Sequence, residues 1–141
     1  MQRHKLLTGF LIFVLLLSGC TSITPVKDKM INGRIDMSTN ADVAELTFRT
    51  SEDGKTIVLV MFNVTNITCG EFKAGSISNL ITDASFPIKN GKFTIPSEKY
   101  GTISGEFTAP AAVQGTIHIL ITTDDGSQIE CGTWNWKTPK K

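Results

Sequence analysis

From Met30 onward, apolar and polar residues alternate along the chain, and glycine or other turn-forming residues interrupt the alternation roughly every ten residues. Such alternation places successive side chains on opposite faces, as in a β-strand that is buried on one side. No segment carries apolar residues at the spacing of a helical face. We therefore predict an all-β fold, an antiparallel β-sandwich of about 7–9 short strands.

The expected strand entries share one pattern, in which a glycine precedes alternating residues of which the second is large and apolar. Glycine at such a position suits a turn or a bulge, and alternate residues after it face one side of the sheet. The copies are unevenly spaced, so the pattern indicates ordinary strands rather than a solenoid repeat. The side chains that we expect to point into the core are Ile35, Phe93, Phe107, Ile117 and Trp134.

Two strands and the turn between them can be placed in the first half of the domain. Residues 44–49 alternate and should have one buried and one solvated face. The Asp53-Gly54 pair that follows is typical of a tight hairpin turn. Residues 57–62 are apolar without a break, which favours a central strand covered on both sides.

The N-terminal residues have the pattern of an export signal. Arg3, His4 and Lys5 precede an apolar run over residues 6–17, which is too short to span a hydrocarbon core that needs about 20 helical residues. Residues 17–20 read Leu-Ser-Gly-Cys and resemble the lipobox of bacterial lipoproteins, in which the cysteine is acylated and becomes the new N-terminus. We therefore predict lipidation of Cys20.

Cleavage before Cys20 would remove a signal peptide over residues 1–19. The rest of the chain is predicted to be a flexible tether over residues 20–29 and a β-sandwich domain over residues 30–141. The tether is predicted because this stretch has few large apolar residues and contains Pro25. Thr21 replaces the aspartate that retains many lipoproteins at the inner membrane. We expect a location in the cell envelope, facing away from the cytoplasm, and at the outer membrane if the host has one.

The charge balance of the mature chain argues against nucleic acid as a partner. Cleavage removes Arg3 and Lys5 from the 14 basic residues, so that 12 face 13 acidic ones. No basic stripe of the kind that nucleic-acid binding requires is visible. The expected partners are the membrane, through the lipid on Cys20, and a protein or glycan of the envelope.

With Cys20 acylated, Cys69 and Cys131 remain as a pair. A disulfide between them would persist outside the cytoplasm and would close a loop of about 60 residues. The alternatives are a metal site or a reactive thiol, but the chain has no C-x-x-C motif, and His118 is the only histidine after residue 19.

Four segments carry a resemblance to a known family. They are residues 85–93, 101–107, 114–116 and 131–136. Together they resemble a family of small exported β-sandwich domains of bacteria and archaea, often found behind a signal peptide or lipobox, with two cysteines at similar places. The resemblance implies the fold and a disulfide, but no catalytic or binding residues, because the family has no established function. The chain departs from the family at Ile35, where a tryptophan is expected.

No catalytic motif emerges from the sequence. His118 alternates with Ile117 and Ile119 and should lie on the solvated face, where a lone histidine is usually a surface residue. The acidic pairs Glu52-Asp53 and Asp124-Asp125 each precede a glycine and indicate turns, with weak calcium binding as the alternative for the second pair. No metal site and no cofactor are predicted.

Trp134 and Trp136 are two residues apart and should share one face of a strand. A solvent-exposed face would let their rings stack on a sugar or a partner, whereas a buried face would make both part of the core. Cys131 lies an odd number of residues from both, so a regular strand would place it on the opposite face.

Two functions remain open from the sequence. One is a non-catalytic binding or structural module of the envelope, held on the membrane by lipid. The alternative is a small envelope hydrolase acting on glycan or peptide, which would require titratable groups from distant strands to converge in a pocket.

Overall fold

The computed structural model describes residues 23–97 and 100–140, and within them the chain is all-β. The described residues contain no helix that is long and apolar enough to cross a membrane. The strands are β1 (Met30–Ile35), β2 (Val43–Thr50), β3 (Thr56–Thr65), β4 (Thr68–Cys69), β5 (Phe72–Lys73), β6 (Ser76–Ile81), β7 (Phe86–Pro87), β8 (Lys92–Ser97), β9 (Gly101–Ala109), β10 (Ala112–Thr122) and β11 (Gln128–Lys137).

The strands form one curled antiparallel sheet in the order β6-β3-β2-β1-β11-β10-β9-β8. The two-residue strand β7 pairs with the start of β3, and β4 and β5 form a separate two-stranded ribbon. Because the sheet curls, its two halves face each other across one core, and β7 and β8 come together at its edges. The predicted all-β antiparallel fold is confirmed, with the very short strands β4, β5 and β7 added to the longer ones.

The core contains the inward-facing side chains that the alternation predicts. Ile35, Phe93, Phe107 and Ile117 are all buried, and Trp134 is half-buried against the same core. Every second residue of β1 is buried as well, as is Ile95 of β8. Apolar burial along one face of each strand thus provides the main driving force for the curled sheet.

The indole of Trp136 lies at the centre of the core and joins three strands. It is 2% exposed and stands 5.9 Å from the ring of Phe48 and 6.3 Å from that of Phe93, measured between centroids. Its Nε1–H donates to the carbonyl oxygen of Ser104 on β9, at 3.0 Å. Trp136 pairs with Gly115 on β10, which pairs in turn with Gly105 on β9, so the indole reaches across β10 to bond β9.

Glycines permit the close packing around this indole. A Cβ atom added at Gly33 would lie 2.8 Å from Trp136 Cε3, and one added at Gly115 would lie 1.9 Å from the carbonyl oxygen of Ser104. Real Cβ contacts are not this short, so both positions require glycine for close packing.

The prediction that residues 57–62 form a strand covered on both sides is wrong. β3 has a bulge at Val58, where Arg49 and Thr50 pair with Leu59 and Ile57. Beyond the bulge Met61 points outward and is 43% exposed, beside Leu80 at 58%. The apolar run therefore combines an inward row with an outward row, in which Leu59 is half-buried and Met61 is exposed.

Residues 23–29, part of the predicted flexible tether, are bonded to the domain. Pro25 is buried, and the side chain of Ile23 packs against the core. The hydroxyl of Thr50, which is fully buried, donates to the carbonyl of Val26 at 2.5 Å and accepts from the N–H of Lys29 at 3.2 Å. The polar group of Thr50 is thus satisfied inside the protein by the N-terminal segment.

A disulfide joins Cys69 and Cys131, with their Cα atoms 4.6 Å apart and a sequence separation of 62. It connects the β4–β5 ribbon to β11. Cys131 lies in a bulge, because Ile119 pairs with Gly132 whereas Leu120 pairs with Glu130. This extra residue shifts the alternation, so Cys131 packs against the core on the side of Trp134 rather than on the opposite face.

We expect Gly115→Ala to lower the free energy of unfolding by about 1–3 kcal/mol, because the added methyl group collides with the backbone of β9. Gly75→Ala is the matched control, since a Cβ atom there meets nothing within 4 Å. Urea unfolding followed by tryptophan fluorescence measures both. Equal stability of the two variants would contradict the packing described for Gly115.

We expect the double variant Cys69→Ala/Cys131→Ala to lose about 4 kcal/mol of unfolding free energy, because the unfolded chain regains the freedom of the closed loop. Urea unfolding of the oxidised wild type and the double variant measures the loss. If reduction of the wild type with dithiothreitol left its unfolding curve unchanged, the stabilising role of the disulfide would be refuted.

Candidate functional site

A groove of about 1580 Å³ crosses the outer face of the sheet. Its floor is formed by two rows of outward-pointing side chains that the strand register places next to each other. The first row crosses six strands and is charged, except at its third position: Lys92, Glu106, Gln114, Lys137, Arg34 and Glu45. With neighbouring strands about 4.8 Å apart, this row is roughly 24 Å long.

The second row lies two residues further along the strands and carries hydroxyl and amide groups. Thr94 pairs with Ser104, Ser104 with Thr116, and Thr116 with Asn135. The carbonyl of Asn135 also accepts the N–H of Asp36 at 2.8 Å, so Asp36 lies at the end of this row. The groove therefore offers hydrogen-bond donors and acceptors in one row beside fixed charges in the other.

The charged row contains side chains of both signs. Lys92 Nζ lies 3.6 Å from Glu106 Oε1, with both side chains more than half exposed, so this ion pair adds little to stability. Lys137 and Arg34 are paired in register and place two positive charges side by side between Gln114 and Glu45. These side chains are exposed, and solvation leaves them able to exchange water for the polar groups of a partner.

An apolar surface lies beyond the groove on the same outer face. Met61 and Leu80 are directly opposite each other on β3 and β6, and Met61 also pairs with Thr47, which lines the groove. The outer face thus changes from polar to apolar between β2 and β6.

Of the residues predicted to form sites, Cys20 lies outside the described residues. Cys69 and Cys131 form the disulfide already described. Trp134 and Trp136 lie on the core side of β11, and Trp136 is covered completely enough that its ring has no free face for a ligand. The core alternative for this pair therefore matches the structure better than ligand stacking.

His118 points away from the core, as the alternation predicts, and its Nε2 lies 3.3 Å from Glu130 Oε1 across β10 and β11. No serine, threonine or cysteine has a bond to His118 among the hydrogen bonds of the described residues. The contact joins two neighbouring strands.

Both acidic pairs belong to the same kind of hairpin turn. In the β10–β11 turn, Thr123 Oγ1 donates to Asp125 Oδ1 at 2.5 Å, and Ser127 donates to it through its N–H at 3.0 Å and its hydroxyl at 2.7 Å. These bonds, that from Thr123 first, lower the pKa of Asp125 from 3.8 to about 2.

The β2–β3 turn repeats this arrangement. Ser51 Oγ donates to Asp53 Oδ1 at 2.6 Å, and the N–H of Lys55 donates at 3.0 Å, so the pKa of Asp53 is also lowered, chiefly by Ser51. Gly54 and Gly126 follow the two aspartates with φ of 72° and 84°, which favours glycine. The carboxylates organise turns, and within residues 23–97 and 100–140 no cluster of three His, Cys, Asp or Glu could hold a metal ion.

The groove residues were not singled out from the sequence. Each of them is an ordinary polar residue on the solvated side of a strand, and only the register of six strands brings them into line. The alternation itself indicates a polar outer face on these strands, because the outward residues that precede Phe93, Phe107 and Trp136 are all polar.

Comparison with known proteins found no match. No family model matches the chain, and neither a curated protein nor a solved structure is significantly similar to it.

We expect the carboxyl group of Asp125 to titrate near pH 2 in NMR spectra, and Thr123→Val to return its pKa toward 3.8. The bonds to the ionised carboxylate stabilise the fold above pH 4, and this contribution is lost as the pH falls through 2. Asp53, whose turn is far from Thr123, serves as the internal control. An unchanged pKa of Asp125 in the variant would contradict the role given to the Thr123 hydroxyl.

Proposed function

We propose that this protein is a lipoprotein, anchored by lipid on Cys20, whose β-domain is a non-catalytic binding or structural module of the cell envelope. The lipobox-like residues 17–20 support the anchor. The disulfide between Cys69 and Cys131 supports a compartment outside the cytoplasm, where such bonds persist.

The polar groove carries the binding part of the proposal. Its two rows present charges, hydroxyls and amides over about 24 Å, which suits an extended polar partner such as a protein segment or a glycan. Its charged side chains lie on the open surface rather than in a closed, desolvated pocket. Such a surface favours recognition through many weak polar contacts.

The anchor is tested by the intact mass of the protein isolated from membranes of a producing bacterium. We expect a chain that begins at Cys20 and carries the mass of acyl groups, and we expect Cys20→Ala to retain residues 1–19 because the cysteine is needed for processing. A wild-type chain without acyl mass would refute the anchor.

The groove is tested by a photocrosslinking amino acid placed at Thr116, inside the groove, or at Ser78, an exposed position of β6 outside it. In cells, we expect a discrete crosslinked product from position 116 and none of that size from position 78. Adding Arg34→Glu and Lys137→Glu should abolish the product, because both charges reverse. The same products from both positions would refute the groove as the binding surface.

A further inference from the structure

The N-terminal segment crosses one end of the domain, where three turns meet. The N–H of Val26 donates to the carbonyl of Pro110 in the β9–β10 turn at 2.8 Å, and the N–H of Asp28 donates to the carbonyl of Ser51 in the β2–β3 turn at 2.9 Å. The carbonyl of Ile23 lies beside Gly91 in the β7–β8 turn. We name residues 23–29 together with turns 51–55, 88–91 and 110–111 the anchor end.

This end is close to the proposed site of lipidation. Three residues lead from Cys20 to Ile23, and an extended chain spans at most about 3.6 Å per residue, so the Cα atom of Ile23 can lie no more than about 11 Å from that of Cys20. Residues 23–29 are held by the bonds of Val26, Asp28 and Thr50. A lipid on Cys20 therefore brings the anchor end, and not another part of the domain, to the membrane surface.

The anchor end is also where the exposed lysines gather. Arg49 and Asp28 form an ion pair there and neutralise each other, as Lys92 and Glu106 do nearby. The remaining carboxylates are Glu52 and Asp53 in the β2–β3 turn and Asp83 in the β6–β7 connection, where the N–H of Ala84 bonds the carbonyl of Val58. Exposed lysines outnumber these carboxylates. They lie on the N-terminal segment, on the turns and on the C-terminal residues that follow the bond between Thr138 and Val113. These lysines are Lys27, Lys29, Lys55, Lys89 and Lys140.

The opposite end has the reverse polarity among the described residues. The β1–β2 connection carries Asp36 and Asp42, the β4–β5 ribbon carries Glu71, and the β10–β11 turn carries Asp124 and Asp125. Lys73 on β5 is an exposed lysine at this end. The near-zero charge of the whole chain thus conceals a domain that is basic at one end and acidic at the other.

We propose that the anchor end docks on the headgroups of anionic phospholipids, with the acidic end pointing away from the membrane. This rests on the proposed lipid on Cys20. Lysines within a Debye length of an anionic surface are attracted to it, and a basic patch beside an acyl chain gives the second signal that strengthens membrane attachment. The anionic headgroups would repel the acidic end. The domain would therefore stand upright, with its groove opening sideways along the membrane.

The test is acetylation of lysines in the full-length, membrane-purified protein after reconstitution into vesicles, read by mass spectrometry. Vesicles of phosphatidylcholine are compared with vesicles in which a third of the lipid is phosphatidylglycerol. On the anionic vesicles we expect acetylation to be about fivefold slower at Lys27, Lys29, Lys55 and Lys89. This factor corresponds to the free energy with which an anionic membrane usually attracts one lysine near its surface. Acetylation of Lys73 should be equal on both, and high salt should remove the difference.

A charge variant keeps the test independent of any single lysine. Lys27→Gln/Lys55→Gln should reduce the protection of Lys29 and Lys89 on anionic vesicles, whereas Lys73→Gln should leave it unchanged. Equal acetylation on the two vesicle types, or protection of Lys73 as well, would overturn the docking. The intact mass of the same sample separates the two proposals, because missing acyl groups refute the anchor, whereas acylated protein with unprotected lysines refutes only the docking.

Discussion

The structure depends on the indole of Trp136, which extends from β11 across β10 and bonds the backbone of β9. Gly115 on β10 permits this close approach, because a Cβ atom there would collide with the carbonyl oxygen of Ser104 that the indole bonds. The rings of Phe48, Phe93 and Phe107 then pack around the same point from both halves of the sheet. Burial of these rings between the two halves favours the curled sheet, and the curl brings β7 and β8 together at its edges.

The curled sheet has two consequences for function. On its outer face, the register aligns polar side chains of six strands into the groove. At one end, its turns form the surface on which residues 23–29 lie, held by the buried hydroxyl of Thr50. Because that segment follows Cys20 so closely, the fold of the domain and the place of its proposed anchor are linked. The proposed docking would therefore also set the position of the groove relative to the membrane.

The alternation of residues was enough to predict the all-β fold and the inward side chains such as Phe93 and Ile117. The pairing of Cys69 with Cys131 followed instead from the cysteine count, once Cys20 was assigned to lipid. It could not reveal the bulges, because an inserted residue such as Val58 or Cys131 looks like any other residue of its strand, yet it changes which face every later residue occupies. The alternation also could not show that Trp134 and Trp136 differ in burial. Both face inward, but only Trp136 meets a pair of glycines on neighbouring strands. Residues 23–29 resemble a linker in composition, and their contacts depend on Thr50 and Pro110, which are distant in sequence.

In the proposed arrangement, the domain stands on the membrane at the end where its N-terminal segment lies. The most direct measurement is NMR of the acylated protein in nanodiscs that contain a lipid with a paramagnetic headgroup, since line broadening falls steeply with distance from the headgroups. We expect strong broadening of the amide signals of Lys55 and Ala111 and none for Asp125. Broadening that is strongest at Asp125, or equal at both ends, would contradict it.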